Sequence, residues 1–266
     1  MSAAMPAAVE PVLLRSDVSG VATLTLNRPS QFNSLSEALL GELQAQLDAI
    51  AADHNVRVVV VAGNGRAFCA GHDLKEMRAH RDKAYMQELF RRCGKVMTTI
   101  GEMPQPVIAR VQGIATAAGC QLVAQCDLAV AVEDARFAVS GINVGLFCST
   151  PAVALSRNVG RKQAMEMLLT GDFIDAREAQ RRGLVNRVVA AGDLDAEVAR
   201  LAASIVAKSP VAIATGKQMF YRQLEMGVAG AYQFAAEVMA CNMMADDAGE
   251  GIDAFMNKRA PQWKGC

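Results

Sequence analysis

Val56-Arg57-Val58-Val59-Val60-Val61-Ala62-Gly63-Asn64-Gly65-Arg66-Ala67-Phe68-Cys69-Ala70-Gly71-His72-Asp73-Leu74 is the stretch on which the fold turns. Its opening VRVVVVA has strand length, is almost continuously apolar and ends at Gly63 and Gly65, the pattern of a strand covered on both faces. Such a strand implies an α/β protein. The loop Arg66 to Leu74 then places small residues where a strand gives way to a loop, and small side chains there let a ligand approach the backbone. Gly113-Ile114-Ala115-Thr116-Ala117-Ala118-Gly119-Cys120-Gln121-Leu122 is a second stretch of this kind, leading into a helix whose first amides lack intrahelical acceptors. Two such amides aimed at one carbonyl oxygen make an oxyanion hole; the same small residues also serve plain close packing.

Neighbouring segments extend the strand, turn and helix alternation. Val21 to Leu26 reads as a strand stopped by Asn27-Arg28-Pro29. Ser34-Leu35-Ser36-Glu37 has capping-box spacing, and Leu39, Leu40, Leu43, Leu47 and Ile50 follow at helical intervals. Lys83 to Glu102 reads as a long helix ended by Pro104 and Pro106, before a strand from Val107 to Arg110. Thr116 is a candidate N-cap for a helix running to about Gln125, and Leu128 to Val132 is another buried strand. From Asp175 the pattern is helical except for a strand over Leu184 to Val189, with breaks near Gly192, at Ser209-Pro210 and near Gly227 and Gly230. Tyr232 to Met244 is rich in Met and Ala with few charges, so it is a candidate for contact with another copy of the chain.

Composition removes several classes of function. Among 266 residues, 27 Lys and Arg balance 27 Asp and Glu, which leaves no footprint for nucleic acid or an anionic membrane. Seven scattered cysteines without a Cys-x-x-Cys pair argue for a reduced protein without a zinc site. Met1 to Val9 has neither a basic n-region nor a long apolar h-region, and no run reaches the length of a membrane span, so the expected location is the cytoplasm. Gly63-Asn64-Gly65 suggests dinucleotide binding, but Phe68 stands at the third glycine and Gly71-His72 interrupts the stretch. Gly-x-Ser-x-Gly is absent, which removes the usual hydrolase elbow.

Several motifs occur in order along the chain: Leu26-Asn27-Arg28-Pro29 with Asn33-Ser34-Leu35, Ala67 to Met77, Pro106-Val107-Ile108-Ala109, Gly119-Cys120-Gln121-Leu122, Cys126-Asp127, Ala135-Arg136-Phe137 and Gly183-Leu184-Val185. Together they resemble the enoyl-CoA hydratase/isomerase (crotonase) superfamily over about Val12 to Trp263. The resemblance implies an α/β fold: a ββα spiral that binds acyl-CoA over residues 10–195, then a C-terminal helical trimerisation region over 196–266. It implies a homotrimer or a dimer of trimers, with no resident cofactor because CoA arrives as part of the substrate. Carried over by motif, the oxyanion donors are the amides of Ala70 and Ala118. Arg28, Lys75, Phe255 and Lys258 are the implied CoA contacts, alongside the loop residues His72, Asp73 and Leu74; for each basic residue a solvated surface role stays open.

Family hydratases use two glutamates as base and acid, and here those positions are Gln121 and Gly141. Neither titrates, so hydration by the usual pair is not expected. His72 has an ordinary pKa suited to general acid/base work, and it is equally readable as a loop residue turned away from the acyl group. Ala-Gly-His-Asp together with Asn143-Val144-Gly145 is similar to methylmalonyl-CoA decarboxylases of the superfamily, which makes Asn143 a further candidate, although Cys148 replaces the tyrosine of that pattern. Cys148 is read as a nucleophile or a buried small side chain, Asp73 as a loop organiser, and Glu76 as a residue near the pocket or at the surface. The three readings carried forward are an enoyl-CoA hydratase-type enzyme, a malonyl-type decarboxylase and a non-catalytic acyl-CoA-binding protein.

Overall fold

Leu13–Val18 (β1) and Val21–Leu26 (β2) pair antiparallel across a two-residue turn, Ser19 and Gly20. Both turn residues have positive φ, 50° and 79°, which matches the twist of the strands they join. The computed structural model describes residues 10–266, so Met1 to Val9 lie outside the described residues. Val58–Gly63 (β3), Val107–Val111 (β5), Leu128–Val132 (β7) and Arg187–Val189 (β10) add in parallel, giving the order β1-β2-β3-β5-β7-β10. A second sheet of short strands, Ala67–Cys69 (β4), Ile114–Thr116 (β6), Arg136–Ala138 (β8) and Ile174–Asp175 (β9), has the order β4-β6-β8-β9.

From β3 to β8 each turn of the chain contributes one strand to each sheet and then helix. β3 and β4 lead to Leu74–Ala79 (α2) and Lys83–Glu102 (α3); β5 and β6 lead to Ala118–Gln125 (α4). β7 and β8 lead to Ser149–Asn158 (α5), Arg161–Thr170 (α6) and Ala176–Arg181 (α7). This is the spiral that the motifs imply. Every residue of β3 is buried, in agreement with the unalternating sequence. The first helix, Glu37–Ala51 (α1), buries Leu39, Leu40, Leu43, Leu47 and Ile50 and packs mainly on α3. Its cap is Ser36, whose hydroxyl accepts the Leu39 amide at 3.2 Å. Thr116 does not cap α4: its hydroxyl pairs with that of Ser140 at 2.8 Å, and Ala117 occupies the cap position at φ 50°.

Leu194–Val206 (α8) packs on β3, β5 and β7, so the expected division at residues 195/196 falls inside a helix of the core layer. Pro210–Gln223 (α9), Val228–Met243 (α10) and Asp246–Met256 (α11) follow. α9 and α10 bury none of their residues fully, and Leu224, Val228, Tyr232, Met239 and Met244 are exposed. Among the described residues no single helix is long and apolar enough to cross a membrane.

What ties α9 to the spiral is a polar hub. Lys217 Nζ donates to the carbonyls of Ile100 and Gln105 and to Asp127 Oδ2 at 2.7–2.8 Å, and the Tyr221 hydroxyl donates to Asp127 Oδ1 at 2.8 Å. Asp127 Oδ2 also accepts the Val107 amide at the start of β5. Burial lowers the pKa of the Lys217 ammonium, and Asp127 works against that loss. Removing the carboxylate would strand a nearly buried ammonium, a change that costs about 3–5 kcal/mol. Asp127→Ala is therefore expected to lose that much stability in urea titration, whereas Arg157→Ala, which breaks an exposed pair with Glu225, should lose less than about 1 kcal/mol. Equal losses would show that the hub is not a structural anchor.

Candidate active site

At the end of β3 the chain reverses so tightly that a Cβ on Gly63 would lie 2.6 Å from the Phe68 carbonyl. Asn33 pins this reversal. Fully buried, its Nδ2 donates to the carbonyls of Asn64 and Ala67 at 2.8 Å, and its Oδ1 accepts the Arg28 amide at 2.9 Å. Beyond β4, Gly71 takes φ +92°, a conformation that disfavours any side chain. Leu35 then bridges the loop: its amide donates to the Gly71 carbonyl at 2.7 Å, and its carbonyl accepts the Asp73 amide at 3.2 Å.

That bridge decides which amide is free. In a parallel bridge the neighbours of His72 make the bonds, so the amide of His72 itself points away from Leu35, and among the described residues it has no acceptor. The expected donor, Ala70, is unavailable because its N–H donates to the Phe32 carbonyl at 3.0 Å. Ala118 is the first residue of α4, where amides lack intrahelical partners. The two loops touch: a Cβ on Gly71 would stand 3.2 Å from Ala118 N, and one on Gly119 would stand 2.0 Å from the Cys69 carbonyl. Glycine at 71 and 119 thus permits the approach of β4 to α4.

A cavity of about 400 Å³ opens at this junction, between Ala70, His72, Leu74, Met77 and Phe90 on one side and Ala118, Gly141, Leu146 and Cys148 on the other. A larger cleft of about 780 Å³ lies between β2, β3 and α8, but it contains neither loop, and Arg110 in its wall is paired with Asp195 at 2.5 Å. The smaller cavity is the one that both loops line.

Both nitrogens of the His72 ring are withdrawn from solvent without a hydrogen-bond partner, and the ring meets Phe90 edge-on at 5.4 Å. Burial lowers its pKa to about 4, so it is a neutral imidazole at physiological pH and not the acid/base near 6.5 that its type suggests. Asp73 caps α2, accepting the amides of Lys75 at 3.0 Å and Glu76 at 3.4 Å, and pairs with Arg28 at 2.9 Å. Burial raises the Asp73 pKa, but that ion pair and the two amides outweigh it and hold the carboxyl below its usual range. Arg28, also bonded to the Ser34 carbonyl at 2.6 Å, is committed to the scaffold and is not a free partner for a CoA phosphate.

The remaining candidates divide. Gln121 is 4% exposed, its side-chain oxygen lacks a partner, and it is not part of the cavity wall. Gly141 is in the wall, and a Cβ there would meet both Cys148 Sγ and the Leu146 carbonyl at 2.7 Å. The space beside Gly141, where the resemblance implies a second carboxylate, is filled by Cys148, whose sulfur accepts the Gly141 amide at 3.3 Å. Burial raises the Cys148 pKa, which keeps it a thiol and argues against a nucleophile. Asn143 turns its amide toward the Gly171 carbonyl at 3.5 Å and is not in the wall. Glu76 accepts the Glu37 amide at the start of α1. Lys75 is exposed beside the cavity, while Phe255 and Lys258 are exposed on and just beyond α11 and do not line it.

Residues 16–266 match the family model described as enoyl-CoA hydratase/isomerase. The chain belongs to the enoyl-CoA hydratase/isomerase family. Among curated relatives, the mitochondrial enoyl-CoA hydratase domain-containing protein 3 of Xenopus laevis is 46% identical, over 95% of this chain and 86% of its own. The 2,3-dehydroadipyl-CoA hydratase of Escherichia coli is 37% identical over 92% of this chain and 95% of its own. Among solved structures, an enoyl-CoA hydratase of Mycobacterium smegmatis is 61% identical with a TM-score of 0.94, covering 96% of this chain and 99% of that one. Human enoyl-CoA hydratase domain-containing protein 3 is 43% identical with a TM-score of 0.92, covering 95% and 100%. The crotonase-type fold is thereby shown for this family member.

The cytoplasmic expectation is corrected by these relatives, since the Xenopus, rat and mouse proteins are all named mitochondrial. Its grounds do not select the cytosol: a mitochondrial matrix keeps thiols reduced as well, and five of the seven cysteines are simply buried.

The His72 pKa gives a signed prediction. Folding lowers it from 6.5 to about 4, so as pH falls from 6.5 the unfolded chain gains a proton that the folded chain refuses. Stability from this group falls across pH 6.5 to 4, with no further loss below that. His72→Phe should remove on the order of 1–2 kcal/mol of the acid loss between pH 7 and 5, measured by urea unfolding. An unchanged acid limb would mean that the ring is not buried as a neutral group.

Proposed function

We propose that this family member binds an acyl-CoA thioester with the thioester oxygen between the backbone amides of His72 and Ala118, and stabilises the enolate of the acyl group. The observation that carries this is the meeting of two backbone amides, neither with an acceptor among the described residues, at one apolar cavity. An enolate places its charge on that oxygen, and fixed donors in a dry site are worth most there; losing one donor of a comparable hole costs roughly 3 kcal/mol. CoA enters as part of the substrate, and no resident cofactor is invoked. Lys75, together with Lys258 and Phe255, remains as a contact for CoA.

Proton transfer is the weak point of the site. The amide of Gln121 cannot take a proton from water, Gly141 has no side chain, and neutral His72 is a feeble base. Addition of water to an enoyl thioester through a carboxylate pair is therefore excluded, and hydration is expected to be slow. A second reading, decarboxylation of a malonyl-type thioester, is favoured by the same wall: it needs the enolate sink but no base, and no carboxylate lines the cavity. The uncovered apolar faces of α9 and α10 support a trimer, or a dimer of trimers, as the working assembly.

Pure protein incubated with crotonyl-, 3-enoyl- and methylmalonyl-CoA, followed by mass spectrometry with calorimetric CoA-thioester binding, tests the proposal. Expected are binding of thioesters and crotonyl-CoA hydration at a small fraction of a two-glutamate hydratase run alongside. Fast hydration that is lost in Gln121→Ala would overturn the account of the acid/base groups. Turnover of none of the three with intact binding would favour an acyl-CoA-binding role, and no binding at all would sink the proposal. Sedimentation equilibrium should return three or six copies per particle; a stable monomer would remove the assembly.

A further inference from the structure

β1 forms one edge of the six-stranded sheet and β10 forms the other. β10 has three residues, which blunts that edge, whereas β1 runs for six without an interior proline or bulge and pairs with β2 in one unbroken register. The hairpin fixes which groups of β1 look outward. The Val12 carbonyl accepts the Asn27 amide at 2.8 Å, and the two-residue turn closes on Val18 and Val21. Successive residues of an antiparallel strand direct their amide and carbonyl to alternate sides, so Leu14, Ser16 and Val18 bond to β2 while the backbone groups of Leu13, Arg15 and Asp17 face away from it. Among the described residues the outward backbone groups of Arg15 and Asp17 have no partner.

That alternation leaves few ways for the edge to pair with a copy of itself, because outward residues must oppose outward residues. A twofold axis at Arg15 or at Asp17 sets like charges face to face. An axis at Ser16 sets Arg15 opposite Asp17 of the second copy, and Asp17 opposite its Arg15; an axis at any other residue of β1 leaves both charges unmatched. The axis at Ser16 also sets Leu14 opposite Val18, which are 39% and 69% exposed, in the close positions where side chains of facing strands touch. Arg15 and Asp17 already meet within one strand at 2.6 Å. The four charges of a pair of strands would therefore alternate in sign around a ring, with like charges only on its diagonals.

We infer that the outer edge of β1 is an interface with a second copy of this chain, in which two β1 strands pair antiparallel about a twofold axis at Ser16. Each Arg15–Asp17 pair then exchanges two backbone hydrogen bonds, and two sheets become one. The contact involves neither α9 nor α10, so it adds to the trimer proposed above without depending on it. Combined with that trimer it joins two trimers, where several short edges acting together hold far better than one.

Sedimentation velocity of the wild type, Arg15→Asp and Asp17→Arg, alone and mixed, tests the inference. Expected is a wild-type particle whose mass halves in either single reversal, since each reversal sets like charges opposite one another. Mixing the two variants should restore the full mass, because opposite charges then face each other at both positions, a rescue that misfolded chains would not show. In a background of Cys241→Ser and Cys266→Ser, which removes the exposed thiols, Ser16→Cys should form an intermolecular disulfide on mild oxidation. Facing residues of this type have Cα atoms about 4.5 Å apart, within disulfide reach, whereas Leu14→Cys places its thiols out of register and should not cross-link. A wild-type mass that neither reversal changes, a mixture that stays at half mass, or equal cross-linking at 14 and 16 would overturn the inference; a three-copy particle in that case leaves the trimer standing. A two-copy particle that each reversal converts to a monomer would support the edge contact and overturn the trimer, and a wild-type monomer would overturn both.

Discussion

The two hydrogen bonds that Leu35 makes to Gly71 and Asp73 govern the whole site. Because they engage the neighbours of His72, they leave the His72 amide turned away from Leu35 and without an acceptor among the described residues, and because Gly71 takes φ +92° the loop can lie against the start of α4. Everything around the bridge holds it in place. Asn33 fixes the β3–β4 reversal, and Arg28 binds Asp73 and the Ser34 carbonyl at once, tying the segment before α1 to the segment before α2. The cation that looked free to meet CoA is thus spent on orienting an amide. A part-buried, multiply bonded guanidinium of this sort is a scaffold element, and its loss would loosen the loop before it changed any phosphate contact.

Chemistry at the cavity follows from volume as much as from charge. Cys148 lies against Gly141 so closely that a side chain there would collide with a backbone carbonyl as well as with the thiol. Shrinking Cys148 would relieve only one of those two clashes. The wall is closed around the absence of a carboxylate, which distinguishes this site from one that has merely exchanged a single residue. With Gln121 buried on α4 and His72 neutral, the proposed site keeps amide donors for a carbonyl but has no group suited to proton transfer. A site of this type favours reactions whose own electrons supply the enolate, or binding without turnover.

Much of the frame was legible in the sequence. β3 and β7 announced themselves by unbroken apolar runs, α3 by the helical segment from Lys83 to Glu102 that the prolines at 104 and 106 end, and the family by motifs in order. The second sheet was invisible because its strands have two or three residues, too few for any period to register. Within the site, sequence found the loop but offered the Ala70 amide, which the structure pairs with the Phe32 carbonyl, while the His72 amide is left without an acceptor among the described residues. That choice turns on a pairing with Leu35, more than thirty residues away, which no local pattern encodes. The same holds for Arg28 and Asn143, candidates through the family resemblance: their partners, Asp73 and the Gly171 carbonyl, are long-range. Cellular location was beyond the composition altogether, since reduced thiols do not distinguish compartments.

α4 joins the site to the rest of the molecule. Its first residue, Ala118, offers one amide to the cavity, and its last turn leads through Cys126 into Asp127, the acceptor for Lys217 and Tyr221 of α9. An eight-residue helix that begins with the proposed oxyanion donor therefore leads to the anchor of the helices whose apolar faces are uncovered. A helix is stiff along its axis, and the close packing of Gly119 on β4 allows it little lateral play. Asp127, which Lys217 and Tyr221 of α9 bind, thus follows within two residues of the end of the helix that begins with Ala118. The length of α4 therefore matters to the arrangement: an inserted residue would rotate Ala118 by about 100° relative to Asp127 and separate the proposed hole from its support.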